Sequence, residues 1–284
     1  MPPRRRLAIV FRTEDMPLNI VVCVKLTPST ANIEIDPATG SLLREKMSFA
    51  INPFDEYAVE EGVRLKERIP GSWAGALSMG APDSETALRE SIARGIDEAF
   101  LISGPAFEGS DTFATGYALA MGIKKIAQIK GKVDLVICAK QTNDSDTGQV
   151  GPAVAAWLGW PGLSFIKKVD EVSDNFLRLH RMMEDGYDVI EADFPAVIAV
   201  LKEINEPRLA SLRGKMAAKK AAIPRWGAGD LGVDESKLGR RGSPCVVAQQ
   251  TAPPARPQGH RIQGPTTPEK AKQLVEKLQE LKLI

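Results

Sequence analysis

The stretch from Cys138 to Pro152, CAKQTNDSDTGQVGP, concentrates polar side chains between two apolar segments. It follows the run VDLVI and precedes AVAAWLGW, which predicts a strand, a polar loop and a helix in that order. Backbone amides and the start of such a helix can hold a phosphate. Asp144 and Asp146 can accept hydrogen bonds from ribose hydroxyls or an adenine amino group, and nearby hydroxyls can reach phosphate oxygens. The same composition also fits an exposed turn that only caps a helix, so both alternatives stay open.

A second stretch, Gly104 to Ala120 (GPAFEGSDTFATGYALA), repeats this order of strand, loop and helix. Asp111 is predicted to cap the helix, and Thr112 and Thr115 lie on its first turn. The stretch is either a plain capping device or a second wall of the same nucleotide pocket.

Residues that could catalyse a reaction by themselves are scarce. The sequence has no GxSxG, no Ser/His/Asp spacing and no metal-ligand cluster, and its two histidines, His180 and His260, are far apart. We interpret His180 as an ordinary strand residue, and Cys23 and Cys138 as small apolar residues that end buried strands. No catalytic side chain and no metal site are predicted, so any chemistry must come from a bound cofactor.

Composition narrows the class of protein. The 284 residues carry a formal net charge of +1, which gives no overall field to recruit nucleic acid or anionic membrane. No apolar run approaches the ~20 residues of a membrane span. The three cysteines are far apart and odd in number, which favours a reducing compartment. We expect a cytoplasmic protein that binds no nucleic acid and inserts into no membrane, with residues 1–16 as a disordered leader.

Strands alternate with helices through the first part of the chain. The run NIVVCVKL, residues 19–26, predicts a buried strand, and a helix is predicted from about Asp55 to Arg68, with Asp55 as its N-cap. This alternation predicts an α/β fold with a doubly wound, mostly parallel sheet and helices on both faces. Ligands of such sheets lie beyond the carboxyl ends of the strands. The site candidates are therefore the polar segments that follow Lys25, Met79, Ser103 and Ala139.

The pattern changes after residue 160. FIKKVDEV, FLRLHRMM, YDVIEADF and AVIAVLKEI are short strand-like segments that predict an antiparallel addition to the sheet. The nucleotide-binding domain is expected to cover residues 17–238. Residues 239–284 are predicted to form an extended arm that ends in a well-capped helix, TPEKAKQLVEKLQELKLI. Its Leu274, Leu278 and Leu281 share one face, which we expect to pack on another subunit.

A basic segment, NEPRLASLRGKMAAKK, lies between the last predicted strand and the arm. It predicts a short basic helix preceded by an apolar loop. Such a helix is either a solvated face or a docking surface for an acidic partner with an apolar anchor.

Taken together, residues 19–235 resemble the small (beta) subunit of an electron-transferring flavoprotein. The resemblance rests on VVCVK, INPFDEYAVEEGVRLKE, LVICAKQTNDSDTGQVGPAVAAWLGWP, NEPRLASL and GDLGVD. It implies an adenine nucleotide alpha hydrolase-like fold and a heterodimer with a large (alpha) subunit that carries an electron-transferring FAD. It also implies a second nucleotide in this chain, which is AMP in ordinary members and a second FAD in electron-bifurcating members.

Family positions carried over to this sequence define the expected site. The implied cofactor-binding residues are Cys23, Asn52, Pro53, Phe54, Asp55, Met79, Asp111, Thr112, Thr115, Ala139, Lys140, Gln141, Thr142, Asn143, Asp144, Ser145, Asp146, Thr147, Gly148, Gln149 and Val150. The implied recognition loop for a partner acyl-CoA dehydrogenase or related flavoenzyme is residues 206–212, comprising Glu206, Pro207, Arg208, Leu209, Ala210, Ser211 and Leu212. Leu212 is its expected apolar anchor.

Several departures from the ordinary members favour FAD over AMP. The loop reads KQTNDSDTGQVGP where ordinary members tend to read KQAIDDDCNQTGQ, and AFEGSDTFATGYALA, EDGYDVIE and the long arm resemble the bifurcating group. We therefore expect a second FAD that accepts a hydride from NADH, with AMP as the alternative. Met182 stands where ordinary members carry a glutamate near the large subunit's flavin.

Overall fold

The computed structural model of this chain describes residues 16–29, 47–248 and 259–284. Most of the predicted leader and part of the arm, residues 249–258, lie outside these ranges, so those two predictions are untested there.

Strands and helices alternate as the sequence predicts. The strands are β1 (Asn19–Cys23), β2 (Leu26–Pro28), β3 (Phe49–Ile51), β4 (Trp73–Met79), β5 (Glu98–Ile102), β6 (Leu135–Ala139), β7 (Gly162–Val172), β8 (Phe176–Met183), β9 (Gly186–Asp193), β10 (Ala196–Val200) and β11 (Arg225–Trp226). The helices are α1 (Asp55–Arg68), α2 (Glu85–Ala93), α3 (Thr112–Lys130), α4 (Val150–Leu158), α5 (Leu212–Lys220), α6 (Ala228–Leu231) and α7 (Thr267–Glu280).

The larger sheet of the described residues has nine strands in the order β11-β5-β4-β1-β6-β10-β7-β8-β9. The strands from β11 to β7 in this order run parallel, while β8 and β9 continue the sheet as an antiparallel meander. The predicted α/β class with a mostly parallel sheet and an antiparallel addition is confirmed.

The last strand of the predicted addition is an exception. β10 pairs in parallel with β6 on one side and β7 on the other, so its assignment to the antiparallel part was wrong. All five of its residues are buried. A short, continuous apolar run of this kind is typical of a central strand covered on both faces.

Alternate residues of β1 define two core layers. Ile20 and Val22 point to the face covered by α1, α2 and α5. Val21 and Cys23 point to the face covered by α3 and α4. The sheet is therefore buried on both sides, as a doubly wound fold requires.

Two capping predictions were wrong. Asp55 is the first residue of α1, Phe54 occupies the N-cap position, and that position has no side-chain cap. The C-terminal helix α7 has Thr266 at its N-cap position, and the Thr266 side chain accepts no hydrogen bond from the first turn.

The order of the strands fixes where the connections reverse. From β1 the chain proceeds outward through β4 and β5, and it then returns to place β6 on the opposite side of β1. In doubly wound sheets a ligand lies in the crevice at such a point, beyond the carboxyl ends of the strands. Here that crevice is formed by the residues that follow Cys23 and Ala139.

Candidate nucleotide-binding site

The segment Lys140–Gln149 leaves the sheet at this crevice. Its first amide, that of Lys140, donates to the carbonyl of Val200 at 2.9 Å, which ties the start of the segment to the end of β10. The Lys140 ammonium lies 5.3 Å from the ring centre of Phe165. Residues 143–147 are exposed, so the middle of the segment is accessible to a ligand.

Asn52 links the segment to the start of α1. It is completely buried, and its side-chain amide donates to the Gln141 carbonyl at 3.0 Å and to an oxygen of Asp55 at 2.9 Å. Its own oxygen accepts from the Asn143 amide at 3.2 Å. Asn52 therefore fixes residues 141–143 from the buried side of the segment. The neighbouring Pro53 and Phe54 form the turn into α1.

Asp55 completes this connection. Its second carboxylate oxygen accepts from the Lys25 amide at 2.7 Å, just beyond β1. Burial raises the pKa of Asp55 to about 7, against the opposing effect of the hydrogen bonds from Asn52 and Lys25. Since both oxygens already bind protein groups, the geometry favours a positioning role for Asp55 over a direct ligand contact.

Lys25 is a site residue that the family positions did not include. Its ammonium contacts both oxygens of Asp144, at 2.9 and 2.7 Å. Burial opposes ionisation of Asp144, but the hydrogen bonds from Lys25 and Thr142, with the charge of Lys25, outweigh it and lower the pKa of this carboxyl. Lys25 lies two residues beyond the end of β1, and this position at a strand end is the signal by which the sequence could have indicated it. The ion pair also partly offsets the negative charge that would repel a phosphate.

The second half of the loop turns back towards the sheet. Asp146 has a positive φ of 53° and Gly148 one of 65°. Asn and Asp tolerate this conformation better than most residues, and glycine adopts it freely. The Asp146 amide donates to the Thr142 carbonyl at 3.1 Å, and the hydroxyls of Thr142 and Ser145 lie 2.9 Å apart. This local bonding fixes the backbone and leaves the side chain of Asp146 exposed.

The first turn of α4 completes the loop. Gln149 occupies its N-cap position without a side-chain hydrogen bond to the helix, whereas the corresponding position of α3 is capped by Asp111. Helix N-termini attract anions through their free amides. A Cβ on Gly151 would lie 3.2 Å from that of Ala199 and 3.5 Å from that of Cys138, so the turn sits directly on the sheet.

Cys23 and Cys138 lie at adjacent strand ends beneath this turn, and both are buried. Hydrogen bonding with Cys23, together with burial, raises the pKa of the Cys138 thiol well above its usual range. The burial of both side chains confirms the interpretation of these cysteines as apolar packing residues.

Met79 ends β4, next to β1, and borders a cavity of about 260 Å³. The cavity lies beyond the carboxyl ends of β4 and β5 and is mainly apolar. Its lining residues are Met79, Gly80, Ala81, Pro82, Ser103, Gly104, Pro105, Phe107 and Glu108.

Asp111 forms the predicted cap of α3. One carboxylate oxygen accepts from the Ala114 amide at 3.0 Å, and the other accepts from the Cys245 amide at 3.0 Å. Its own amide donates to the Ser243 hydroxyl at 2.8 Å. Asp111 therefore fastens the beginning of the arm to the domain, and its prediction as the cap of α3 is confirmed.

Comparisons with known proteins agree with this architecture. Residues 39–231 match the model of the electron transfer flavoprotein domain. The Caffeyl-CoA reductase-Etf complex subunit CarD of Acetobacterium woodii is 40% identical, over 94% of this chain and 100% of that protein. The electron transfer flavoprotein subunit beta of Clostridium acetobutylicum is also 40% identical, over 93% and 98% of the two chains. Protein FixA of Bradyrhizobium diazoefficiens is 38% identical, over 83% of each.

This chain belongs to the electron transfer flavoprotein beta-subunit family. Its function is therefore in electron transfer, and beta subunits of this family pair with alpha subunits and electron-transfer partners.

The segment that the family resemblance relates to partner recognition, residues 206–212, joins the last core strand to α5. Leu209 is 92% exposed and Leu212 is 78% exposed, although both are large and apolar. Arg208, which lies beside them in sequence, turns inward to Glu60 and Glu67 on α1. This beta subunit thus presents two apolar side chains from a segment that is fastened to the domain.

The described residues contain no candidate metal site and no candidate membrane-spanning helix. Among the residues described, no group of three or more His, Cys, Asp or Glu side chains could hold a metal ion. No helix within the same ranges combines the length and apolar character needed to cross a bilayer.

Proposed function

We propose that this chain is the small subunit of a heterodimeric electron transfer flavoprotein and binds an adenine nucleotide with the segment Lys140–Gln149. We further propose that the nucleotide is a second FAD, reduced by NADH, from which electrons pass to the alpha subunit's FAD and to a partner flavoenzyme. The observation that carries the proposal is the position of this segment, at the crevice between β1 and β6, where doubly wound sheets bind ligands.

Roles for the chain's own residues follow from their contacts. The uncapped first turn of α4, with the hydroxyls of Ser145 and Thr147, would meet phosphate oxygens. Asp146, whose carboxylate is exposed, would accept from a ribose hydroxyl or the adenine amino group. Asn52 and Asp55 would hold the loop in shape beneath the ligand. A bound FAD would supply the hydride and electron chemistry, and the chain would bind it, orient it and tune its potential.

Two observations support FAD as the nucleotide. The cavity beside Met79 adds mainly apolar room on the same edge of the sheet, beyond the space that a mononucleotide at β1 and β6 needs. α3 and α4 also pack closely, since a Cβ on Gly116 would lie 2.6 Å from that of Ala153. The starts of both helices can therefore border one extended ligand.

AMP is the second candidate, and Asp111 favours it. Both carboxylate oxygens of Asp111 already accept hydrogen bonds within the chain, from Ala114 and Cys245. A role for Asp111 in binding a second flavin would require the arm to release it.

The partner we propose is an acyl-CoA dehydrogenase or a related flavoenzyme. CarD, whose match covers 94% of this chain and all of its own length, is named as a subunit of a caffeyl-CoA reductase-Etf complex. The exposed Leu209 and Leu212 supply an apolar anchor of the kind that such docking needs. We place the heterodimer in the cytoplasm, in keeping with free cysteines at Cys23, Cys138 and Cys245.

Substitution of Asp146 tests the nucleotide site. Asp146→Ala should reduce the bound nucleotide at least tenfold, measured by chromatography of the nucleotides released from the copurified heterodimer, with the circular dichroism of the sheet unchanged. Asp146→Asn is the matched control for backbone shape, because asparagine tolerates the positive φ at this position. Full retention of nucleotide in both variants would show that Asp146 does not bind it.

A further inference from the structure

The segment from Asn205 to Ser211 has no regular secondary structure, and it follows the short turn Lys202–Ile204. It nevertheless presents the exposed side chain of Leu209 and leads directly into Leu212. A seven-residue irregular segment samples many conformations unless other groups fix it. The groups that fix this one lie on α1.

Arg208 makes most of these contacts. Its amide and Nε both donate to Oε2 of Glu60, at 3.1 and 2.8 Å, and its Nη2 donates to Oε1 of the same carboxylate at 3.1 Å. Its Nη1 and Nη2 also donate to Oε1 and Oε2 of Glu67, at 2.7 and 2.9 Å. The guanidinium therefore binds two carboxylates with its planar fork, while its own backbone is held by one of them.

The two carboxylates differ in their surroundings. Glu60 is buried, whereas the side chain of Glu67 is 54% exposed. They are seven residues apart on α1, which places them about two turns apart on one face of the helix. Because Glu60 loses most of its hydration, its pairing with Arg208 is the stronger constraint, and the exposed pair with Glu67 adds less.

A second contact fixes the start of the segment. The side-chain amide of Asn205 donates to the Tyr57 carbonyl and to Oε2 of Glu61, both at 3.0 Å. Burial raises the pKa of Glu61, against the effect of this hydrogen bond. Both ends of the stretch 205–208 are thus bound to α1, so the exposed Leu209 directly follows a fixed point.

We propose that Arg208 is a positioning residue for partner docking, not a residue that touches the partner. Its ion pairs with Glu60 and Glu67 hold the segment in the conformation that exposes Leu209 and Leu212. This inference rests on the proposed docking function. It changes the expected role of Arg208 from a residue that contacts the partner to one that fixes the docking segment from within the domain. A fixed docking segment binds its partner better because less conformational freedom is lost on association.

The test uses the complete heterodimer, with an acyl-CoA dehydrogenase with which the wild-type heterodimer exchanges electrons. The main variant is Arg208→Gln/Glu60→Gln, because it removes both charges of the stronger ion pair and leaves no buried carboxylate unpaired; Glu67 loses its partner but stays solvated. Arg208→Lys keeps the charge but loses the fork, and Glu67→Gln removes only the exposed pair. Arg68→Gln is the matched control, since it removes a cation from α1 and leaves the ion pairs of Arg208 with Glu60 and Glu67 in place.

For Arg208→Gln/Glu60→Gln we expect the KM for the heterodimer to rise at least fivefold, with kcat and flavin content unchanged. In this variant the backbone amides of residues 205–211, other than Pro207, should exchange with deuterium at least tenfold faster than in wild type. The backbone amides of β1 and β6 should keep their rates. Arg208→Lys should fall between this variant and wild type, Glu67→Gln should show a smaller effect, and Arg68→Gln should match wild type.

Three outcomes would overturn the proposal. An unchanged KM in Arg208→Gln/Glu60→Gln, together with a raised KM in Leu212→Ala, would refute the positioning role of Arg208 but not the docking function. A raised KM without faster exchange would show that Arg208 contacts the partner directly. An unchanged KM in both Leu209→Ala and Leu212→Ala would refute the docking function itself, and with it the positioning role of Arg208.

Discussion

At the scale of single residues, the candidate site is held together by polar side chains that bind one another. Asn52 and Asp55 lie at the start of α1, and their hydrogen bonds reach β1 through Lys25 and the polar loop through Gln141 and Asn143. A ligand would therefore meet a loop whose inner half is already in place. Such preorganisation reduces the entropy lost on binding.

The titration of Asp55 gives a prediction. Its pKa is raised from 3.8 to about 7 by burial. Between these values the folded protein keeps a proton that the unfolded chain has lost, so the stabilisation is complete below pH 3.8 and is lost as pH rises to about 7. Asp55→Asn cannot titrate. The difference in free energy of unfolding, wild type minus variant, should therefore fall by up to ~1.4 kcal/mol per pH unit in this window.

Urea denaturation of both proteins at pH 5, 6, 7 and 8 measures this difference. It should fall from pH 5 to pH 7 and then level off. Asp185→Asn, which removes a carboxylate from the exposed turn between β8 and β9, is the control for the loss of one acidic group. A constant difference for Asp55→Asn would mean that the Asp55 carboxyl is ionised throughout the range.

At the scale of elements, close helix contacts determine where the docking segment lies. α5 packs on the end of α2, and a Cβ on Gly214 would lie 2.1 Å from the carbonyl oxygen of Ala93. No side chain fits there unless the two helices move apart. Leu212 is the first residue of α5, so this contact also sets the direction in which the docking segment leaves the domain.

Gly214→Ala should therefore destabilise the fold by roughly 1–3 kcal/mol, the usual effect of overpacking a tight contact. It should also raise the KM for a partner dehydrogenase, because α5 shifts. Gly229→Ala is the matched control, since its Cβ would meet no atom within 4 Å. Thermal unfolding of the two variants measures the effect, and equal midpoints would contradict a tight α5–α2 contact.

Much of this element order could be predicted from the sequence, because local patterns determine it. The helix predicted from about Asp55 to Arg68 is confirmed as α1, which spans Asp55–Arg68. The run Ala196–Val200 was misassigned because strand direction depends on neighbours, and those are fixed by the whole sheet. The hydrogen-bond partners of the polar side chains could not be predicted from the sequence either. Lys25 and Asp144 are 119 residues apart, and no local pattern joins them.

At the scale of the whole molecule, the domain leaves its C-terminal helix without a buried face. No residue of α7 is buried, and Leu274 and Leu281 are 47% and 48% exposed. Asp111 fixes the beginning of the arm to the domain through Cys245. An amphipathic helix with an exposed leucine stripe needs a partner surface. The alpha subunit, with which family members pair, is the partner we propose for it.

The identity of the second nucleotide is tested most directly by a count of the nucleotides in the copurified heterodimer. The complex is denatured, the released FAD and AMP are separated by chromatography, and each is related to the protein concentration. We predict two FAD and no AMP per heterodimer. One FAD with one AMP would contradict the assignment of a second flavin and make this chain an ordinary, AMP-binding beta subunit.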